Sequence, residues 1–98
     1  MVEGSLKFIT NIEYRLLELS HEIDDVEITK NRLEIKKITD EIEAAMLFTH
    51  SLQQKVNDLI ERSDLNILGQ FHYESISKMA EILYKNLKNA ETRVKAIL

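Results

Sequence analysis

The sequence has no cysteine, no proline and no tryptophan, and only two glycines in 98 residues. Without cysteine the chain has no disulfide, no thiolate metal site and no cysteine nucleophile. Because glycine and proline interrupt helices, their scarcity is typical of a protein that is helical over nearly its whole length. Few aromatic residues favour a core of isoleucine and leucine over a deep ligand pocket.

Two kinds of segment that would direct the chain to a membrane are also missing. No stretch is long and apolar enough to span a bilayer. Residues Met1 to Lys7 lack the basic-then-apolar pattern of a cleaved signal peptide. We therefore predict a cytoplasmic protein. If it is exported, we expect a route that does not use a cleaved signal peptide.

The charge of the chain is slightly negative and unevenly distributed. The formal net charge is −4. Acidic residues are concentrated between Glu13 and Glu27, whereas basic residues prevail between Lys78 and Lys95. This distribution suits antiparallel self-docking or a head-to-tail partner. It lacks the basic face that binding to nucleic acid requires, so we predict no nucleic-acid partner.

Apolar residues recur at steps of three and four along most of the chain, which predicts an all-α protein. One such stripe runs through Ile9, Ile12, Leu16, Leu19, Ile23 and Val26. A second runs through Ile35, Ile38, Ile42, Ala45, Leu52, Val56 and Leu59, with Thr49 in one slot. A third runs through Tyr73, Ile76, Ala80, Leu83, Leu87, Ala90, Val94 and Ile97, widened by Met79 and Ile82.

The joint between the first two stripes allows two architectures for the single domain that we predict over residues 1–98. In the first, one long helix covers about 5–62, a turn covers about 63–70, and a shorter antiparallel helix covers about 71–98. This is a helical hairpin or coiled coil. In the second, Asn31 and Glu34 form a capping box that starts a new helix, which gives a three-helix bundle. The absence of glycine and proline near Asn31 favours the continuous helix.

A continuous first helix would be about twice as long as the second and would leave the first stripe uncovered. Exposure of so long an apolar surface to water is unfavourable, so we predict association with another protein, as a homo-oligomer or a hetero-complex. The predicted partner-binding residues are Ile9, Ile12, Leu16, Leu19, Ile23, Val26, Met79 and Ile82. In the three-helix alternative the first stripe is instead part of the chain's own core, and the binding surface moves to the C-terminal helix.

We predict no catalytic residue, no cofactor and no metal site, and therefore no enzyme. Glu18 and His21 form one Glu-x-x-His pair, but a di-iron bundle needs two such pairs and further inward carboxylates. Lys30 and Thr49 fall at stripe positions, where polar residues set register and partner choice.

Residues Leu19 to Ile23 (Leu-Ser-His-Glu-Ile) resemble the phosphoacceptor box of sensor histidine kinases. In that family a helical histidine on a dimeric hairpin is followed directly by an acidic residue that assists phosphotransfer. The resemblance implies a phosphotransfer role for His21. The sequence departs from the box at Asp24, Asp25 and Val26, where the family has a basic residue, a polar residue and Pro-Leu.

The C-terminal third resembles parts of two secretion-system families. The segment Leu65 to Gln70, followed by a helix that ends in Val-Lys-Ala-Ile-Leu, is similar to the end of type III secretion inner-rod proteins. A long helix, a turn with Ile67-x-Gly69 and a second helix resemble the small hairpins of type VII secretion, whose turn carries Trp-x-Gly. Both resemblances imply a small helical partner or chaperone.

These observations favour a non-enzymatic interaction protein that associates through amphipathic helices, as an adaptor or structural subunit. A secretion-system partner and a phosphotransfer hairpin are the alternatives.

Overall fold

The computed structural model describes residues 2–62 and 67–97. Within these ranges the chain forms three helices, α1 (Val2–Thr29), α2 (Arg32–Arg62) and α3 (Ile67–Lys95). They lie side by side in a rod of about 53 × 18 × 17 Å. Contacts between Phe8 and Phe48 and between Asn57 and Ser77 show that α2 runs antiparallel to both neighbours. The all-α prediction is confirmed, and the three-helix bundle is the architecture that the chain adopts.

The prediction of one continuous helix over about 5–62 was wrong, because the chain bends between Thr29 and Arg32. Asn31 caps α2: its side-chain oxygen accepts hydrogen bonds from the backbone N–H groups of Leu33 and Glu34, at 3.0 and 3.2 Å. Lys30 takes a left-handed conformation with φ of 54°. This geometry ends α1 as a glycine usually would, so the bend needs neither glycine nor proline.

The connection between α2 and α3 lies where the sequence predicts it. Of the predicted turn, Ser63, Asp64 and Asn66 lie outside the described residues. The third helix begins earlier than expected, since Gly69 and Gln70 belong to α3 and not to the turn.

The three apolar stripes meet along the axis of the rod and form one core. The side chains that are at most 4% exposed are Ile9, Leu19, Ile23, Val26, Ile35, Ile38, Ile42, Thr49, Val56, Ile76, Ala80, Leu83, Leu87 and Val94. Thr49 is the one polar member among the described residues. Its hydroxyl donates a hydrogen bond of 2.7 Å to the carbonyl of Ala45 and is therefore satisfied inside its own helix.

The helices do not share the core equally. The interface between α2 and α3 is the most extensive, and α1 packs less closely against each of them. The bundle is thus an α2–α3 hairpin with α1 laid along its groove.

Candidate interaction surface

The bundle covers most of the residues that we predicted to bind a partner. Four α1 side chains of the first stripe are buried in the core, and Ile12 and Leu16 are partly buried against it. On α3, Met79 is also partly buried against the core, whereas Ile82 is 54% exposed. In this structure the first stripe serves the chain's own core, as the three-helix alternative requires. Its use by a partner stays a prediction.

One apolar surface that the bundle leaves open lies across α1 and α2. The rings of Phe8 and Phe48 contact each other with centroids 5.3 Å apart and planes tilted by 32°. They remain 52% and 54% exposed, and Leu47 beside them is 71% exposed. We call this surface the Phe patch and define it as Phe8, Ala44, Leu47, Phe48 and Leu52.

A shallow groove of about 580 Å³ runs along the α2 part of the Phe patch. Ala44, Leu47, Phe48 and Leu52 form its apolar wall, and Ser51 and Lys55 complete the lining. Scattered exposed apolar residues are ordinary on a protein surface, whereas a contiguous group with two aromatic rings is a candidate interaction site. The groove is open along its side, which suits an elongated partner better than a small molecule.

The sequence contained a signal for the Phe patch that the stripe analysis missed. Residues 44–48 (Ala-Ala-Met-Leu-Phe) are five consecutive apolar residues. Five residues make more than one full helical turn, so they cannot all face one core. The partner of Phe48 could not be deduced, because the pairing of Phe8 with Phe48 depends on how α1 slides along α2.

A bidentate ion pair joins α1 to α2 in this alignment. The Nε and Nη2 atoms of Arg15 donate to the two carboxylate oxygens of Glu41 at 2.5 and 2.9 Å. The Nη1 atom donates to Glu22 at 2.7 Å. The hydrogen bond from Arg15 is the main reason why the pKa of Glu41 lies below its usual range, and the hydrogen bond to Glu41 likewise raises the pKa of Arg15.

A second arginine ties α1 to α3. The Nε atom of Arg93 donates to Glu27 at 2.7 Å, and its Nη2 atom donates to Asp24. These two carboxylates, Asp24 first, raise the pKa of Arg93. One basic residue near the end of the chain therefore pairs with two acidic residues of α1 within one molecule, between helices that run parallel.

The residues that we considered for chemistry do not form a reactive arrangement. His21 is exposed, and Glu18 lies 3.8 Å from Arg15 in an ion pair. Residues 2–62 and 67–97 contain no group of three or more side chains that could hold a metal ion. His50 packs against the ring of Tyr84 with centroids 5.9 Å apart. The prediction that Lys30 lies on an apolar stripe was wrong, since it is exposed in the bend.

In the part of the chain that the structure describes, no helix is both long enough and apolar enough to cross a bilayer.

Comparison with known proteins gives the family. Residues 1–98 match the model of a family described as mite allergen Blo t 5. The chain is 32% identical over 97 residues to mite allergen Blo t 5 of Blomia tropicalis, covering 99% of this chain and 72% of that protein. It is 31% identical over 86 residues to mite allergen Lep d 5 of Lepidoglyphus destructor, covering 88% of this chain and 78% of the relative.

A further relative, mite allergen Blo t 21 of Blomia tropicalis, is 31% identical over 83 residues, or 85% of this chain and 64% of that protein. The chain thus spans between about two thirds and three quarters of these relatives. The match gives no support to the secretion-system and phosphotransfer hypotheses. A match along the whole sequence shows instead that this chain belongs to the mite allergen Blo t 5 family.

Proposed function

We propose that this chain is a non-enzymatic interaction protein that binds another protein through the Phe patch. The observation that supports this proposal is the contact between Phe8 and Phe48, two aromatic side chains that stack on each other while more than half of each stays in water. Aromatic residues at the centre of an apolar surface are the usual anchors of protein interfaces.

The partner that suits the groove is an amphipathic helix. An elongated apolar wall accepts a row of side chains spaced by three and four along such a helix. Lys55 at the edge of the groove would favour a partner with a carboxylate beside its apolar stripe.

The outer face of α3 is less suited to this role. Ile82 is exposed there, but Lys78 and Lys85 lie one helical turn away on either side of it and are also exposed. An isoleucine flanked by two lysines offers little apolar area, so this part of the C-terminal helix is a weaker binding surface than the Phe patch.

The test compares two phenylalanine substitutions of equal chemistry. Phe48→Lys places a charge in the Phe patch, whereas Phe71→Lys changes a phenylalanine of α3 that is 64% exposed and lies outside it. Proteins cross-linked to the chain in an extract of its source organism are identified, expressed and titrated by calorimetry. Circular dichroism confirms that both variants are folded.

We expect the identified partner to bind the unmodified chain and Phe71→Lys alike, and to bind Phe48→Lys at least about tenfold more weakly, as for loss of an interface anchor. Equal binding to all three chains would contradict the proposal.

The family match supports a second proposal, that this chain is itself an allergen. Its named relatives are mite allergens, and the match covers the whole chain. The test is whether the folded chain inhibits the binding of human IgE to mite allergen Blo t 5. No inhibition at a large molar excess would contradict this proposal.

The compartment stays a prediction: cytoplasmic, or exported without a cleaved signal peptide.

A further inference from the structure

The connection between α1 and α2 is short and strained. Only Lys30 and Asn31 separate the two helices. The φ of 54° at Lys30 brings its Cβ close to neighbouring backbone atoms, a conformation that non-glycine residues seldom adopt. No glycine or proline lies between Gly4 and Gly69, so both residues of this hinge can also take helical angles.

Two apolar side chains beside the hinge are exposed to water: Ile28 by 84% and Leu33 by 81%. Leu33 lies seven residues after the buried Val26 of α1, and Ile28 lies seven residues before the buried Ile35 of α2. Residues seven apart share one face of a helix. In a straight helix, Leu33 would thus prolong the apolar stripe of α1, and Ile28 would prolong that of α2.

We propose that the hinge can straighten and that two copies of this chain then exchange α1. In this swapped dimer each α1 lies in the groove of the other copy's α2–α3 hairpin. The arginine pairs that hold α1 in the monomer, Arg15 with Glu41 and Arg93 with Asp24 and Glu27, form again between the copies. The surfaces are complementary already, because they are those of the monomer.

The balance between monomer and dimer therefore rests on the hinge. Straightening relieves the strain at Lys30 and lets the two copies cover Ile28 and Leu33 against each other. It costs the hydrogen bonds of the cap at Asn31 and the translational and rotational entropy of two separate molecules. Short, strained hinges favour this kind of exchange. Since α1 has the less extensive contacts in the bundle, it is the helix suited to leave.

Two substitutions move the balance in opposite directions. Asn31→Ala removes the cap and favours a continuous helix, so it favours the dimer. Lys30→Gly relaxes the bend and disfavours a continuous helix, so it favours the monomer. Because each dimer contains two hinges, a fivefold effect per hinge changes the dimer dissociation constant about 25-fold. Asn11→Ala, on the exposed side of α1, is the control and leaves the constant unchanged.

The dissociation constant is measured by sedimentation after refolding at a range of concentrations up to about the millimolar level, so that α1 can re-pack. We expect a dimer that strengthens from Lys30→Gly to the unmodified chain to Asn31→Ala. Absence of a dimer in all three chains would overturn the proposal.

A cross-link distinguishes the swapped dimer from two bundles that merely touch. Cysteines replacing Phe8 and Phe48 report on α1 and α2, whose rings are in contact, and cysteines replacing His50 and Tyr84 report on α2 and α3 in the same way. A short bis-maleimide is added to isolated dimers of each double variant, also carrying Asn31→Ala. We expect the first pair to join two chains and the second to link within one. A first pair that links only within one chain would overturn the proposal.

Discussion

Replacing Ile23 tests whether the first apolar stripe is core or binding surface. Ile23 is fully buried, whereas Ile28, on the same helix, is 84% exposed. Truncation to alanine removes three carbons, which amounts to about 2.4 kcal/mol of transfer free energy, and the remaining cavity adds to this. We expect Ile23→Ala to lower the free energy of unfolding by about 3 to 4 kcal/mol, and Ile28→Ala to change it by less than about 0.5 kcal/mol.

The measurement is urea unfolding followed by circular dichroism, at protein concentrations low enough to keep the chain monomeric. With a slope of about 1 to 1.5 kcal/mol per molar urea for a chain of this size, Ile23→Ala lowers the midpoint by about 2 to 4 M. Should that variant be unfolded without urea, Ile23→Val, expected to lose about 1 kcal/mol, gives the shift instead. Equal midpoints for the Ile23 and Ile28 variants would refute the three-helix core. They would support the alternative in which the first stripe is a surface for a partner.

Three further outcomes follow from the bend, the ion pair and the buried hydroxyl. Lys30→Gly should raise the free energy of unfolding by about 0.5 to 1 kcal/mol, seen as a melting temperature higher by a few degrees, because glycine accepts the left-handed conformation. Arg15 lowers the pKa of Glu41, so this pair stabilises the fold above the ordinary carboxyl pKa of about 4.3, and the contribution is lost as pH falls through the pKa of Glu41 in the folded protein. Glu41→Gln should therefore reduce the fall of the urea midpoint between pH 5 and pH 3. Because both side chains are partly exposed, we expect the pair to contribute about 1 kcal/mol at most to the free energy of unfolding. A pH dependence equal to that of the unmodified chain would contradict this. Thr49→Val should be neutral or stabilising by up to about 1 kcal/mol in urea unfolding, because the hydroxyl bonds only to its own helix; a clear loss would show that Thr49 is needed in the core.

The apolar spacing was enough to predict the helical class and most of the core. Side chains as far apart as Ile9, Ile42 and Leu87 lie in the core because each occupies the inward position of a stripe. The bend was harder to predict. Asn31 carries a capping signal in the sequence, but the chain ends α1 with Lys30, a residue type that carries no signal for a left-handed conformation. The cap at Asn31 was identified correctly. The continuous helix was nevertheless favoured, wrongly, because the sequence has no glycine or proline there.

The candidate surface was beyond the stripe analysis for a different reason. A stripe shows which side of one helix faces inward, but not which residues of two neighbouring helices meet at the surface of the bundle. Phe8 and Phe48 are forty positions apart, and their contact depends on how α1 aligns with α2, where Arg15 also pairs with Glu41. The predicted partner-binding stripe failed to appear on the surface because the bend at Lys30 folded it inward.

The loose packing of α1 has a consequence for how the protein is made. On a ribosome α1 emerges before α2 and α3, yet the groove that covers its apolar side is built from these two later helices. Roughly 66 residues lie between the end of α1 and the end of α3, so at about 5 to 20 residues per second the stripe stays bare for about 3 to 13 s. During that interval the apolar side of a nascent α1 is exposed to any chain that can cover it, and on a crowded polysome these include other copies of the same chain.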